Sequence, residues 1–129
     1  MRTRLYSALK KWALLIVLLY ALALTITSFM NLNDVPSIGI SNEDKVFHAF
    51  AYFLFALLLY NFLKKIQMNG VIINSVVAVT TYGIIIEVLQ YVLTSHRSFD
   101  FYDALANFTG AMVAAVLLKI RDNRKLNLN

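Results

Sequence analysis

Hydrophobic residues fall into four long runs that are separated by short polar segments. The runs extend over about residues 12–29, 46–63, 71–93 and 102–120. Each is close to the roughly 20 residues that an α-helix needs to cross a hydrocarbon core of about 30 Å. None of them alternates polar and apolar residues as a membrane-barrel strand would. The pattern therefore predicts an all-α polytopic membrane protein, with residues 1–129 as one domain and an antiparallel bundle of four transmembrane helices.

The segments between the runs are short, apart from residues 31–44, which contain the only proline, Pro36. Asn69-Gly70 suits a turn between two helices. Residues 94–101 are too few to separate the third and fourth helices, so we expect these helices to be antiparallel neighbours.

Basic residues indicate the orientation of the bundle. Ten of the twelve Lys and Arg residues lie in the N-terminal segment, in the loop after the second run and in the C-terminal segment; the other two are Lys45 and Arg97. Cytoplasmic loops of membrane proteins are enriched in Lys and Arg. The asymmetry predicts that both termini are cytoplasmic and that residues 31–44 and 94–101 are external.

A competing interpretation makes the first run a cleaved signal peptide. Basic residues precede it, and Ala21-Leu22-Ala23 resembles a cleavage site. The apolar run continues through Phe29, however, which is longer than the hydrophobic region of a signal peptide needs to be. This length favours a retained membrane helix.

Composition excludes several classes of protein. The chain is 60% hydrophobic and only 15% charged, which leaves too few polar residues for the surface of a soluble domain. The absence of cysteine excludes disulfides and thiolate metal sites. The net charge of +5 comes from residues at the ends of the runs, so it indicates topology and not a nucleic-acid partner.

Polar residues open the second run. Asp44, His48 and Tyr52 follow one another at intervals of four and share one helix face. Asp44 has two interpretations, as an N-terminal capping residue together with Ser41 or as part of a site. His48 is either a hydrogen-bonded core histidine or a group that relays protons or binds metal.

The third run contains Glu87 and Gln90 on one face. Glu87 lies about 9 Å below the end of its run, at 1.5 Å per residue. A carboxylate at this depth needs a partner, a water-filled pocket or a proton. It either pairs structurally with His48, Arg97 or Asn107, or it is an acid/base or ligand-binding group. We favour the second interpretation because a buried charge contributes little to stability.

The start of the fourth run carries Asp100, Asp103, Asn107 and Gly110 on one face. Asp100 is a candidate N-cap, and Asp103 would lie in the first turn. The amide of Asn107 must find partners on a neighbouring helix if it is in lipid. Small residues at intervals of four predict close packing of this helix against a neighbour: Ala106, Gly110 and Ala114.

The alternating direction of the helices brings these polar residues to one level, near the external face. Polar residues scattered through a core would not concentrate at one end. We therefore predict a binding site there, formed by Asp44, Lys45, His48, Glu87, Gln90, Arg97, Asp100, Asp103 and Asn107.

The same residues resemble those of the VanZ-like family of small bacterial integral membrane proteins. The resemblance covers about residues 41–120, and its pieces are Asp44-Lys45-Val46-Phe47-His48, Glu87-Val88-Leu89-Gln90, and Arg97-Ser98-Phe99-Asp100 followed by Asp103, Asn107 and Gly110. This sequence departs from the family pattern at Thr94-Ser95-His96, where a turn with glycine or proline is common, and at Ala114, where a second glycine is common. The resemblance implies a multi-pass cell-envelope protein of the bacterial cytoplasmic membrane. The family is named for a protein linked to teicoplanin resistance, a property that carries over only weakly.

Three functions fit these observations. The first is an external-leaflet pocket that binds an envelope lipid, a peptidoglycan-precursor headgroup or a glycopeptide drug, with Arg97 pairing with a phosphate or carboxylate. The second is a membrane enzyme that acts on an envelope lipid, for which Glu87, His48 and Asp103 are the catalytic candidates. The third is a small proton-coupled transporter, for which four helices offer enough volume only in a homo-oligomer.

The sequence contains no nucleophile motif, no P-loop and no metal-ligand signature. We accordingly assign no cofactor and no metal site from the sequence, although Asp100 and Asp103 are candidate metal ligands in the enzyme hypothesis. The expected partners are membrane lipids.

Reporter fusions test the topology. Fusions at Asn69 and after Asn129 should both report a cytoplasmic location, because the basic residues flank these positions. A fusion at Ser37, in the predicted external loop, is the control and should report the opposite side. An external location for Asn69 or Asn129 would contradict the assignment of the polar residues to the external leaflet.

Overall fold

The computed structural model describes residues 2–30, 36–37, 39, 41–95 and 97–128. Four α-helices make up the architecture: α1 (Arg2–Phe29), α2 (Glu43–Lys65), α3 (Val71–Leu93) and α4 (Phe101–Asn127). These ranges contain no strand, and the predicted all-α class is confirmed. The helices include the predicted runs but α1 starts earlier and α4 ends later, because a helix can continue past the hydrocarbon region into its basic flanks.

All four helices are long and apolar enough to span a membrane. Their outer faces carry large exposed hydrophobic side chains, among them Val92 and Leu93. In lipid such side chains need no protein cover, whereas backbone polar groups must be paired within helices. Aromatic residues at the ends of the hydrophobic runs are also exposed, as expected of the membrane interface: Trp12, Tyr91 and Tyr102.

The helices run antiparallel. At one end of the bundle α1 and α3 begin and α2 and α4 end; the Tyr6 hydroxyl donates to the Lys65 carbonyl at 2.8 Å, and the Tyr60 hydroxyl donates to Asp122 Oδ2 at 2.6 Å. Ten of the twelve Lys and Arg residues belong to the segments that meet here. We call this the basic end, and the opposite one, where α2 and α4 begin, the acidic end.

The closest helix contact joins α2 and α4 through Gly110. A Cβ atom built on Gly110 would lie 1.9 Å from the Ala49 carbonyl oxygen, so only glycine fits at this position. Ala111 and Ala114 are fully buried beside it. The predicted close packing of the small-residue face is thus present between these two helices.

Aromatic rings fill the centre of the bundle. The Phe55 ring lies 5.2 Å from the Tyr82 ring and 5.6 Å from the Tyr20 ring, measured between centroids. Tyr52 packs against Phe55 and Tyr82 and is almost completely buried. These tilted and edge-on ring contacts join α1, α2 and α3 within the apolar core.

Hydrogen bonds help to attach helix α1 to α2 and α3. The Tyr20 hydroxyl donates to the Ala51 carbonyl at 2.7 Å, and the Tyr82 hydroxyl donates to the Ala21 carbonyl at 2.7 Å. Among the described residues of α1, only Ala13 and Val17 are buried. Hydrogen bonds between helices are a normal means of association in lipid, where hydrophobic burial gives little driving force.

Replacement of Gly110 by alanine tests the helix contact. We expect Gly110→Ala to lower the free energy of unfolding by about 1–3 kcal/mol, because the new methyl group would displace the backbone of α2. Gly83→Ala is the comparison: there the nearest atoms belong to the side chains of Tyr52 and Asn107 and not to a backbone, so we expect a smaller loss. Thermal unfolding in detergent measures both; equal losses would show that the α2–α4 contact is not specially tight.

Candidate functional site

Lys45 is the centre of an ion-pair network at the acidic end. Its ammonium group lies 2.9 Å from Asp44 Oδ2 and 2.6 Å from Asp100 Oδ2, and it also donates to Asp103 Oδ1. An ammonium group has three donors, so three carboxylates can share it. The network ties the first turn of α2 to the first turn of α4.

Asp100 also caps α4, as the sequence predicts. Its Oδ1 atom accepts a hydrogen bond from the Tyr102 backbone N–H at 2.8 Å. The hydrogen bond from Lys45, together with this backbone donor, holds the pKa of the Asp100 carboxyl below its usual range.

Capping by Ser41 and Asp44 at the start of α2 was the wrong interpretation. The N-cap of α2 is Asn42, whose backbone is left-handed at φ 58°, and no side chain caps the helix. Asp44 pairs with Lys45 instead. The charge of Lys45 competes with the backbone donors for this carboxylate.

His48 lies one turn below Lys45 and contacts α4 through both ring nitrogens. Its Nδ1 atom is 3.1 Å from Asn107 Oδ1, and its Nε2 atom is 3.6 Å from Asp103 Oδ2. An amide oxygen can only accept a hydrogen bond, so Nδ1 carries the proton. In the neutral ring Nε2 then has a free lone pair, which faces Asp103 across a gap too long for a hydrogen bond.

Glu87 brings a carboxylate to the same place from α3. One ligand atom from each of His48, Glu87 and Asp103 lies within 4.8 Å of the other two. Glu87 is only 3% exposed, and no hydrogen bond from a residue in the described ranges reaches its carboxylate. A buried carboxylate without a donor is costly, so this position calls for a cation or a proton.

Asn107 also has an unfilled hydrogen-bonding capacity. The side chain is 2% exposed and its Oδ1 accepts from His48. Its Nδ2 atom is buried and has no partner within the part of the chain that the structure describes. An unpaired buried donor costs about 1–3 kcal/mol. A water molecule or a bound ligand would satisfy it.

Gln90 and Arg97 form hydrogen bonds with α1. Gln90 Nε2 donates to the Ser28 carbonyl at 2.5 Å, and Arg97 Nη1 reaches the same carbonyl at 3.4 Å. Carbonyls in the last turn of a helix lack hydrogen-bond donors within that helix. Gln90 and Arg97 provide donors for such a carbonyl at the end of α1. Gln90 is buried, whereas Arg97 is exposed at the rim of the acidic end.

Of the predicted residues, the structure brings together Lys45 with its three aspartates, and His48 with Glu87, Asp103 and Asn107. Gln90 and Arg97 instead form hydrogen bonds with the end of α1. The ion pairs with Asp100 and Asp103 are made by Lys45.

A second cluster, at the basic end, was missed by sequence reasoning. The Tyr60 hydroxyl accepts from Lys64 at 2.8 Å and from Arg121 at 3.0 Å while it donates to Asp122 at 2.6 Å. An acidic residue inside a basic segment was the available signal. Asp122 lies just beyond the fourth hydrophobic run, which ends at Ile120, so the hydrophobic pattern does not include it.

The acidic end carries an excess of negative charge. The described carboxylates at this end are five, those of Glu43, Asp44, Glu87, Asp100 and Asp103, and the described cations are two, Lys45 and Arg97, when His48 is neutral. The cluster is suited to bind a cation, to accept hydrogen bonds from hydroxyl or ammonium groups, or to accept a proton.

Comparison with known proteins adds one finding. A family model described as VanZ/LLP1 matches residues 13–122. The match includes most of α1, beyond residues 41–120 that carry the resemblance in the sequence. No curated protein and no solved structure matches the chain.

Lys45→Met tests the ion-pair network. We expect a loss of about 1–3 kcal/mol in unfolding free energy at pH 7, between the values typical of surface and buried pairs, because three carboxylates lose their cation. Lys65→Met, in the last turn of the same helix, is the control. Among the described side chains, the Lys65 ammonium group donates only to the Asn61 amide oxygen, so its loss should change the unfolding free energy little.

The network also predicts a pH dependence. Because the folded-state pKa of Asp100 is lowered, its stabilisation is present above the unfolded pKa of about 3.9 and is lost as pH falls through the folded value. Thermal unfolding in detergent should therefore show the gap between wild type and Lys45→Met narrowing from pH 7 to pH 3. A constant gap would mean that Lys45 acts by packing and not by charge.

Proposed function

The chain belongs to the VanZ/LLP1 family, and from this premise we propose that it binds the headgroup of an envelope lipid or of a peptidoglycan precursor at its acidic end. The supporting observation is the cluster of His48, Glu87 and Asp103, which comes from three helices and includes a carboxylate that is 3% exposed. Buried charges are poor stabilisers and are by default functional within a membrane.

The proposed location is the external leaflet of the bacterial cytoplasmic membrane. The concentration of Lys and Arg at the basic end supports this orientation, since such residues are enriched in cytoplasmic loops. Helix α4 begins there with exposed Phe101 and Tyr102, whose rings suit the headgroup region. The cluster would then open toward external headgroups.

The chemistry of the acidic end suits a headgroup that carries both phosphate and hydroxyl or amine groups. Glu87 and the aspartates accept hydrogen bonds from hydroxyl or ammonium donors, and Asn107 Nδ2 is an unused donor within the described residues. The exposed guanidinium group of Arg97 at the rim offers donors in a planar fork that matches a phosphate.

A membrane enzyme acting on an envelope lipid is the second candidate. It is supported by the free lone pair of His48 Nε2 beside Asp103 and Glu87, an arrangement suited to a general base. In such an enzyme the nucleophile would be water or a substrate group. Turnover of the bound lipid distinguishes this candidate from a binding module.

Native mass spectrometry of the full chain in nanodiscs of bacterial lipid extract tests headgroup binding. We expect wild type to retain lipid, and Arg97→Lys to lose it nearly as completely as Arg97→Ala, because lysine cannot copy the bidentate geometry of arginine. Arg124→Lys, at an exposed position near the end of α4, is the control and should retain lipid.

The outcomes separate the candidates. Full occupancy in Arg97→Lys would reduce Arg97 to a surface charge and remove the phosphate contact from the proposal. A change in the mass of the bound lipid over time would favour the enzyme. Retention of added teicoplanin in place of lipid would identify the site as a drug-binding site.

A further inference from the structure

We propose that His48, Glu87 and Asp103 form a binding site for one divalent transition-metal ion, Zn²⁺ or Mn²⁺. The three ligand atoms lie within 4.8 Å of one another and come from α2, α3 and α4. Bonds of about 2.0–2.2 Å to a shared ion would place ligand atoms about 3–4.4 Å apart. Small side-chain rotations would close that difference, with no movement of the helices.

The orientation of His48 is that of a metal ligand. Its Nδ1–H group is held by Asn107 Oδ1 at 3.1 Å, which directs the lone pair of Nε2 toward the two carboxylates. Histidines that bind metals generally donate their other ring N–H to an oxygen in this way, and the contact fixes both tautomer and ring orientation. Asn107 is thus a positioning residue for the proposed site.

The two oxygens of Asp103 face different partners. Oδ1 accepts from the Lys45 ammonium group, while Oδ2 faces His48 Nε2 at 3.6 Å. This separation is too long for a hydrogen bond but matches two ligands of a common ion. Lys45 therefore orients the carboxylate without occupying the proposed site.

Glu87 gives an independent indication of a ligand. Glu87 is only 3% exposed, and its carboxylate accepts no hydrogen bond from the described parts of the chain. Two carboxylates at this distance in a medium of low dielectric repel one another. A divalent cation would neutralise both and supply the missing partner.

The donor set selects the class of ion. One imidazole and two carboxylates suit Zn²⁺ or Mn²⁺, whereas Mg²⁺ and Ca²⁺ prefer oxygen ligands alone. Three protein ligands leave at least one coordination position open for water or for an oxygen of a bound molecule. The ion itself needs no headgroup, so its binding can be tested apart from the proposed function.

The test uses the full chain in detergent, stripped with a chelator and titrated with Zn²⁺ or Mn²⁺ alone by calorimetry. We expect one ion per chain in wild type and a loss of affinity of at least about 100-fold in Glu87→Gln and in His48→Gln. Asn107→Ala should weaken binding by about 10–100-fold, the usual effect of a residue that orients a ligand. His96→Gln removes the only other histidine and is the matched control.

Pulsed electron paramagnetic resonance of bound Mn²⁺ gives a readout that does not require the ligand variants to fold. Coupling to an imidazole nitrogen should be present in wild type and in His96→Gln. Absence of that coupling in either protein would overturn the proposal, as would failure of wild type to bind. Binding that is unchanged in folded His48→Gln and Glu87→Gln would also overturn it, since the ion would then be adventitious.

Discussion

The contact between Gly110 and the Ala49 carbonyl controls the rest of the structure. It brings the backbones of α2 and α4 so close that a single Cβ atom would not fit between them. Ala49 follows His48, and Gly110 lies one turn from Asn107, so the hydrogen bond of 3.1 Å between His48 and Asn107 depends on this approach. The ion pairs of Lys45 with the first turn of α4 depend on it as well. A separation larger by even one methyl group would break the geometry of the acidic end.

The surrounding lipid makes the unsatisfied groups of the cluster informative. Elsewhere in the bundle, polar side chains donate to backbone carbonyls of a neighbouring helix. Tyr20 donates to Ala51 of α2, Tyr82 donates to Ala21 in the middle of α1, and Gln90 donates to Ser28 at the end of α1. Within the described residues, the fully enclosed side-chain nitrogen and oxygen atoms without a partner are Thr80 Oγ1 and Asn107 Nδ2. A membrane interior offers no water to compensate such groups. Asn107 differs from Thr80 in that it also contacts His48 of the cluster, where the proposed ligand would supply its missing partner.

Local patterns determined how much of this could be predicted from the sequence. Helix periodicity and the short loops predicted the four helices, their antiparallel order and the shared face of Asp103, Asn107 and Gly110. Spacing along one helix does not specify how that helix is rotated against its neighbours. The attachment of Gln90 and Arg97 to Ser28 depends on where α1 packs, and no signal in α3 or in the loop indicated it. For the same reason, ligands from three different helices produce no metal-binding motif in the sequence.

The ion pairs and the buried cluster act as one unit. Lys45 gains three carboxylates and so fixes the start of α4 against α2, which is a structural role. By holding Oδ1 of Asp103 it also leaves Oδ2 directed toward His48, which is a role in the site. One oxygen of Asp103 thus forms the structural ion pair, and the other oxygen is the proposed ligand atom. Loss of the Lys45 charge would therefore change the orientation of the Asp103 carboxylate. No helix would have to move for this change to reach the proposed site.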